Sequence, residues 1–178
     1  MEIVIPDEFQ YLYVTSPERP VVKIPDPVLR KRALPVESVN PETIELIERM
    51  LHVVVQANGI GLAAPQLGVS QRVIVLATPG IKPIPMVNPE VLSVEGEQVG
   101  QEGCLSIPGL YGDVKRAFNV EVKALDRKGR EVVYELEEIA ARVALHEIDH
   151  LDGVLFTDVA DPATLHWEHP ETAAAKAE

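Results

Sequence analysis

The segment HEIDH sets two imidazoles, His146 and His150, four residues apart, with the carboxylate of Glu147 directly after the first. On a helix, residues i and i+4 lie one above the other, so both rings can turn toward a single metal ion. A carboxylate beside the first ligand is placed to take a proton from water at that ion. The H-E-x-x-H pattern therefore points to metal-dependent hydrolysis. The plainer alternative is two core histidines on an amphipathic helix with a surface glutamate between them.

Two histidines need a third ligand. The longer form H-E-x-x-H-x-x-G-x-x-H fits as far as Gly153 but ends on Phe156, whose ring cannot bind a metal. His166, Glu168, His169 and Glu171 follow in a polar segment. The other choice is Cys104 in EGCLS (Glu102–Ser106), the only cysteine of the chain. Taken alone, Cys104 reads as a small buried residue. With the histidine pair it makes a three-ligand set with an open position, suited to a catalytic Zn²⁺ or Fe²⁺ ion. Convergence in space decides between these readings.

The elements that must position these groups follow from periodicity. A helix is expected from Leu136 to about Leu151, closing at Asp152-Gly153. Asn40-Pro41-Glu42 starts another over about 41–57, with Ile44, Ile47, Met50, Leu51, Val54 and Val55 at helical spacing and Asn58-Gly59 as its stop. Arg72–Ala77 reads as a buried strand, and 86–100 as a strand region broken by Pro89 and Gly96. Phe118–Leu125 and Arg130–Leu136 read as a hairpin. Residues 1–40 lack periodicity and read as extended segments and turns. Strands and helices are largely segregated, which predicts an α+β fold. Its mixed or antiparallel strands pack around a central metal-binding HExxH helix, with an additional helix in the N-terminal half. The 178 residues, 46% hydrophobic, fit one domain: an extension over 1–20, a catalytic core over 21–160 and a polar, partly disordered tail over 161–178.

A net charge of -12 argues against a broad phosphate-binding surface, and Arg30-Lys31-Arg32 reads as a solvated face. No apolar run approaches the roughly 18 residues of a membrane span. These features predict a soluble intracellular protein with no direct nucleic acid binding and no membrane association. The lone cysteine excludes an intrachain disulfide. Gly59, Gly61 and Ala64 in GIGLAAPQLG satisfy a dinucleotide-binding spacing, but a helix precedes them, Pro65 interrupts any following helix and a strand comes after. That order is the reverse of a phosphate-binding turn.

GIGLAAPQ (Gly59–Gln66), EGCLS and HEIDH together resemble the three motifs of the peptide deformylase family, in the family's order, over about residues 21–160. The resemblance implies a hydrolase that removes the formyl group from N-formylmethionyl nascent peptides, releasing formate, in the bacterial cytoplasm, with an organelle as the alternative. It implies that Cys104, His146 and His150 bind one divalent ion, Fe²⁺ in cells, with Zn²⁺, Ni²⁺ or Co²⁺ as substitutes. Glu147 is then the general acid and base, while the Gln66 side chain and the Leu105 backbone N–H hold the formyl oxygen. Gly59, Ile60, Gly61, Gly103 and Val143 form the implied substrate-binding set. Helix phase places Val143, Arg142 and Ile139 on or beside the metal-facing side. Ile139, Val143 and Ile60 can line a pocket for the methionine side chain, with ordinary core packing the alternative for Ile139. Arg142 is expected at the rim or paired with an acid, and Glu102 with Arg116 is expected to support the ligand loop.

Leu145 departs from the glutamine that many members carry before the first histidine. In some members a basic C-terminal helix docks on the ribosome; here HWEHPETAAAKAE holds one lysine and three glutamates, leaving transient ribosome contact at most. The alternative within the same chemistry is an HExxH metallopeptidase with a different third ligand. Outside it stand a dinucleotide binder and an inactive, metal-stabilised interaction domain.

Overall fold

In the computed structural model, which describes residues 3–176, Asn40 caps helix α1, Pro41–Gln56. Its side-chain oxygen accepts from the Thr43 amide at 2.9 Å, and Pro41 sits where a helix has no use for an amide hydrogen. Leu46, Ile47, Met50, Val53 and Val54 make the buried face, whereas Val55, expected there, is exposed. The left-handed residue that ends the helix is Asn58, at φ 52°, and not Gly59. Asparagine reaches this conformation more readily than other non-glycine residues.

The strands are β1 Gly61–Ala63, β2 Val73–Leu76, β3 Ile84–Glu95, β4 Gln98–Cys104, β5 Ile107–Arg116, β6 Asn119–Leu125, β7 Glu131–Glu137 and β8 His166–Trp167. They form a five-stranded antiparallel sheet, β1-β2-β3-β6-β7, and a three-stranded one, β4-β5-β8. All of β2 is buried, as its unbroken apolar run requires. Pro89 does not break β3 as expected. It lies where the pairing with β6 shifts register between Val87 and Glu90, and a bulge tolerates the missing donor. Asn88, at φ 51°, clamps that point by bonding both the N–H and the C=O of Val36 at 2.8 Å.

Helix α2 spans Glu138–Leu151. Leu136, expected inside it, belongs to β7 and pairs with Val120. The strand turns straight into the helix at Glu138, held at φ 51°, where the Gln98 side chain donates to its carbonyl at 2.8 Å. Ala141, Ala144, Ile148 and Leu151 pack α2 against Ile74, Met86, Val120 and Val122 of the larger sheet. The two alanines bring the helix close to the strands. Helix α1 covers β1 and β2 in a second cluster, and β5 packs on Leu29, Leu155 and Phe156 in a third.

The first forty residues are more structured than expected, with 3₁₀ turns at Asp7–Tyr13 and Pro27–Arg30. Phe9 is buried against Trp167, with ring centroids 5.1 Å apart, and Tyr11 Oη lies 3.2 Å from His169 Nδ1. After α3 (Phe156–Val159), the segment read as a polar tail is regular where described: a 3₁₀ turn at Pro162–Thr164, then β8 paired with β5, and α4 over Pro170–Lys176. Its last residues, 177–178, lie outside the described ones. No helix among the described residues is long and apolar enough to cross a membrane.

Candidate metal centre

Helix α2 presents His146 and His150 from one face, with ring centroids 5.1 Å apart. Strand β4 ends on Cys104, where the pairing with β5 shifts register after Gly103. The donor atoms of Cys104, His146 and His150 all lie within 4.8 Å of one another, the only such group among the described residues. Cys104 Sγ is 3.3 Å from His150 Nε2. Metal–sulfur and metal–nitrogen bonds at a tetrahedral angle separate the two donors by about 3.5 Å, so the set fits one ion of zinc or iron size. His166 instead faces Tyr111, and His169 faces Phe9 and Tyr11. The downstream third ligand of the metallopeptidase alternative is therefore not brought to the centre.

Two polar atoms here, Glu147 Oε2 and His150 Nδ1, are buried and unpaired among the described residues. Buried polar atoms are almost always bonded, so the unpaired Glu147 Oε2 beside the first histidine fits a polar occupant there. Burial pushes the Glu147 carboxyl up to about 7, against the opposing pull of His146 and His150. Burial also pushes the Cys104 thiol up. The charge of His150 and hydrogen bonds from both imidazoles outweigh it and hold the thiol well below its usual range. A thiolate is the form that ligates.

Glu102 lies two residues before Cys104 on β4 and is buried. Its Oε1 accepts from Arg116 Nε at 2.9 Å and Arg142 Nη1 at 2.8 Å. Its Oε2 accepts from Arg116 Nη2 at 3.0 Å and meets His146 Nδ1 at 2.8 Å. Burial pushes this carboxyl up, but the bonds and charges of His146 and Arg116 bring it down to about 2. An ionised carboxylate only accepts, so His146 Nδ1 donates and Nε2 remains for a metal. Arg116 continues to Asp149 at 2.6 Å, a residue the sequence reading did not single out. Arg142 is buried and paired with an acid, not at the rim.

Gln66 sits in a 3₁₀ turn, Ala64–Leu67, and is 1% exposed. Its Oε1 accepts from Ala63 N–H at 3.0 Å, which fixes the amide orientation and points Nε2 at Ser106 Oγ (3.2 Å) and Cys104 Sγ (3.6 Å). Ser106, given no role when the EGCLS motif was read, is buried and donates its N–H to Cys104 Sγ at 3.4 Å. Its place two residues after the cysteine was the available signal. Leu105 packs its side chain toward α1 and beside Gly59.

The close approach at Gly61 is made by α2: a Cβ there would lie 2.5 Å from Glu147 Oε1 and 2.6 Å from Val143 Cγ1. At Gly103 a Cβ would meet the Tyr111 ring at 2.6 Å. Val143 is buried, while Ile60 and Ile139 are exposed.

Comparison with known proteins agrees with this geometry. The polypeptide deformylase family model matches residues 18–165. The peptide deformylase of Desulfitobacterium hafniense is 48% identical over 140 residues, covering 79% of this chain and 93% of that one. That of Thermomicrobium roseum is 45% identical over 170 residues, covering 88% and 96%. The crystal structure of the Thermotoga maritima peptide deformylase superposes with a TM-score of 0.77 at 43% identity, over 80% of this chain and 97% of that one. The chain belongs to the polypeptide deformylase family, metal-dependent hydrolases that remove the formyl group from N-formylmethionyl peptides.

Proposed function

We propose that Cys104, His146 and His150 hold one divalent ion, and that Glu147, Gln66 and Leu105 carry out deformylation beside it. The observation that supports this most is the convergence of the single cysteine with both histidines of the HEIDH helix. Cleaving a formamide requires a nucleophilic water, a stabilised oxyanion and a proton for the departing amine. A divalent ion, when bound, supplies Lewis acidity that makes water nucleophilic near neutral pH. Glu147 takes the proton of the attacking water and passes it to the amine. A carboxyl pushed up to about 7 suits that exchange, because a base works best near the operating pH.

Gln66 Nε2 and the Leu105 N–H donate to the developing oxyanion. Because Oε1 of Gln66 is already held by Ala63, its amide is oriented before substrate arrives. Gln66→Ala is therefore expected to lower kcat about 10²- to 10³-fold. Leu105→Ala, which keeps its backbone donor, is expected to change kcat far less; steady-state kinetics on the two variants checks this. Gly59, Ile60, Gly61, Gly103 and Val143 receive the peptide, with Val143 and Ile60 against the methionine side chain. Glu102 and Arg116 support the ligands.

A thiolate with two imidazoles suits Fe²⁺ as well as Zn²⁺, and we assign Fe²⁺ as the cellular ion, replaceable by Zn²⁺, Ni²⁺ or Co²⁺. Iron-loaded protein prepared without oxygen is expected to be more active than the same protein handled in air. Equal activity in the two preparations would argue against iron. The chain acts as one domain in the bacterial cytoplasm on nascent peptides. Its charge of -12 and acidic C-terminal segment fit no more than transient ribosome contact. The deciding measurement is formate release from a formyl-Met tripeptide by anaerobic protein of known metal content. No release by the metal-loaded protein would overturn the assignment.

A further inference from the structure

Arg142 lies one helical turn before His146, on the same face of α2, and its side chain is 7% exposed. Nη1 donates to Glu102 Oε1 at 2.8 Å and to Val114 O at 2.9 Å, and reaches Gly100 O at 3.3 Å. Nη2 reaches Gln98 O at 3.3 Å. Gln98, Gly100 and Glu102 lie on β4 and Val114 on β5, the two strands of the hairpin that carries Cys104. One guanidinium thus joins the helix bearing two metal donors to the hairpin bearing the third. Gly100 leaves room for it, since a Cβ there would lie 3.3 Å from Arg142 Nη2. The bonds of Arg116 to Glu102 and Asp149 also span the two elements, but they bear on the carboxylates alone. Among the described residues, Arg142 alone grips the hairpin backbone from α2 with its side chain.

We propose that Arg142 is a positioning residue for the metal centre, fixing the separation of α2 and β4 and so the affinity of Cys104, His146 and His150 for a divalent ion. This rests on the ligand assignment above. Arginine is needed because its planar fork reaches several acceptors at once, which a lysine ammonium cannot do in the same geometry. Arg116 also pairs with Glu102, so the variants are expected to keep a neutralised carboxylate.

The test compares wild type, Arg142→Met, Arg142→Lys and Cys104→Ala, each purified in folded form. Zn²⁺ affinity is measured by competition with a chromophoric chelator, and the absorption spectrum is recorded after Co²⁺ loading. Arg142→Met is expected to weaken Zn²⁺ binding about 10- to 100-fold, as loss of a supporting contact around a metal typically does. The Co²⁺ spectrum should shift, and kcat at saturating metal should fall more than KM changes. Arg142→Lys should lie between. A residue that only stabilised the fold would lower Tm and leave affinity and spectrum alone. Wild-type affinity and spectrum in either arginine variant overturn the proposal. Wild-type Zn²⁺ affinity in Cys104→Ala overturns the ligand assignment instead, so the two failures are distinct.

Discussion

Glu147→Gln is expected to lower kcat/KM for formate release by about 10²- to 10⁴-fold or more, with metal content unchanged. Glutamine matches glutamate in volume but cannot accept the proton of the attacking water. The fold should not suffer. Glu147 Oε2 has no hydrogen-bond partner among the described residues, so the substitution breaks no bond at that atom. Burial also disfavours the charged form of this group, and a neutral amide escapes that cost. Tm should therefore stay level or rise. Formate release, metal analysis and a thermal melt on one preparation check all three statements. Normal hydrolysis by the variant would remove Glu147 from the mechanism. Equal inactivity of wild type and variant would favour a metal-stabilised interaction domain.

The second large effect is expected at Cys104. Cys104→Ala should abolish stoichiometric metal binding and bring formate release to background. What remains is a histidine pair on α2, without the negative charge that balances the imidazoles. Because an ion that binds only the folded chain stabilises it by mass action, wild-type Tm should climb as metal is added. The expected gain is about 2.7 kcal/mol at one hundred times the dissociation constant. Cys104→Ala should show no such climb. A variant that retains metal and full activity would place the third ligand elsewhere and revive the metallopeptidase alternative.

The chemistry was more legible in the sequence than the scaffold that holds it. The spacing of His146 and His150 is a local helical fact, and Cys104 stood out because the chain offers no other thiol. The β6–β7 hairpin was equally visible, since its turn chemistry and alternation are local. What stayed hidden depends on contacts between distant segments. Arg142 showed its phase relative to His146, but its acceptors become neighbours only when β4 lies along α2. Pro89 looked like a strand breaker because the clamp between Asn88 and Val36, which supports the bulge, joins residues far apart in sequence. Phe9 is buried where Trp167, His169 and Gly109, all distant in sequence, come to meet it. Gly61 leaves room for Glu147 and Val143 of α2, neighbours that no local pattern could name.

The separation of Cys104 from the HEIDH helix along the chain has a consequence for the order of events in folding. The loop between the cysteine and the first histidine must close, and the hairpin must dock, before three donors exist together. An unfolded chain offers an ion only scattered ligands. An ion that arrives after docking stabilises the finished state and not the barrier that leads to it. Its kinetic effect then falls on escape from the native state, while the rate of refolding is left nearly unchanged. On the proposed ligand set, the metal would act as a latch closed behind a folded chain, and its loss is expected to show first as faster unfolding.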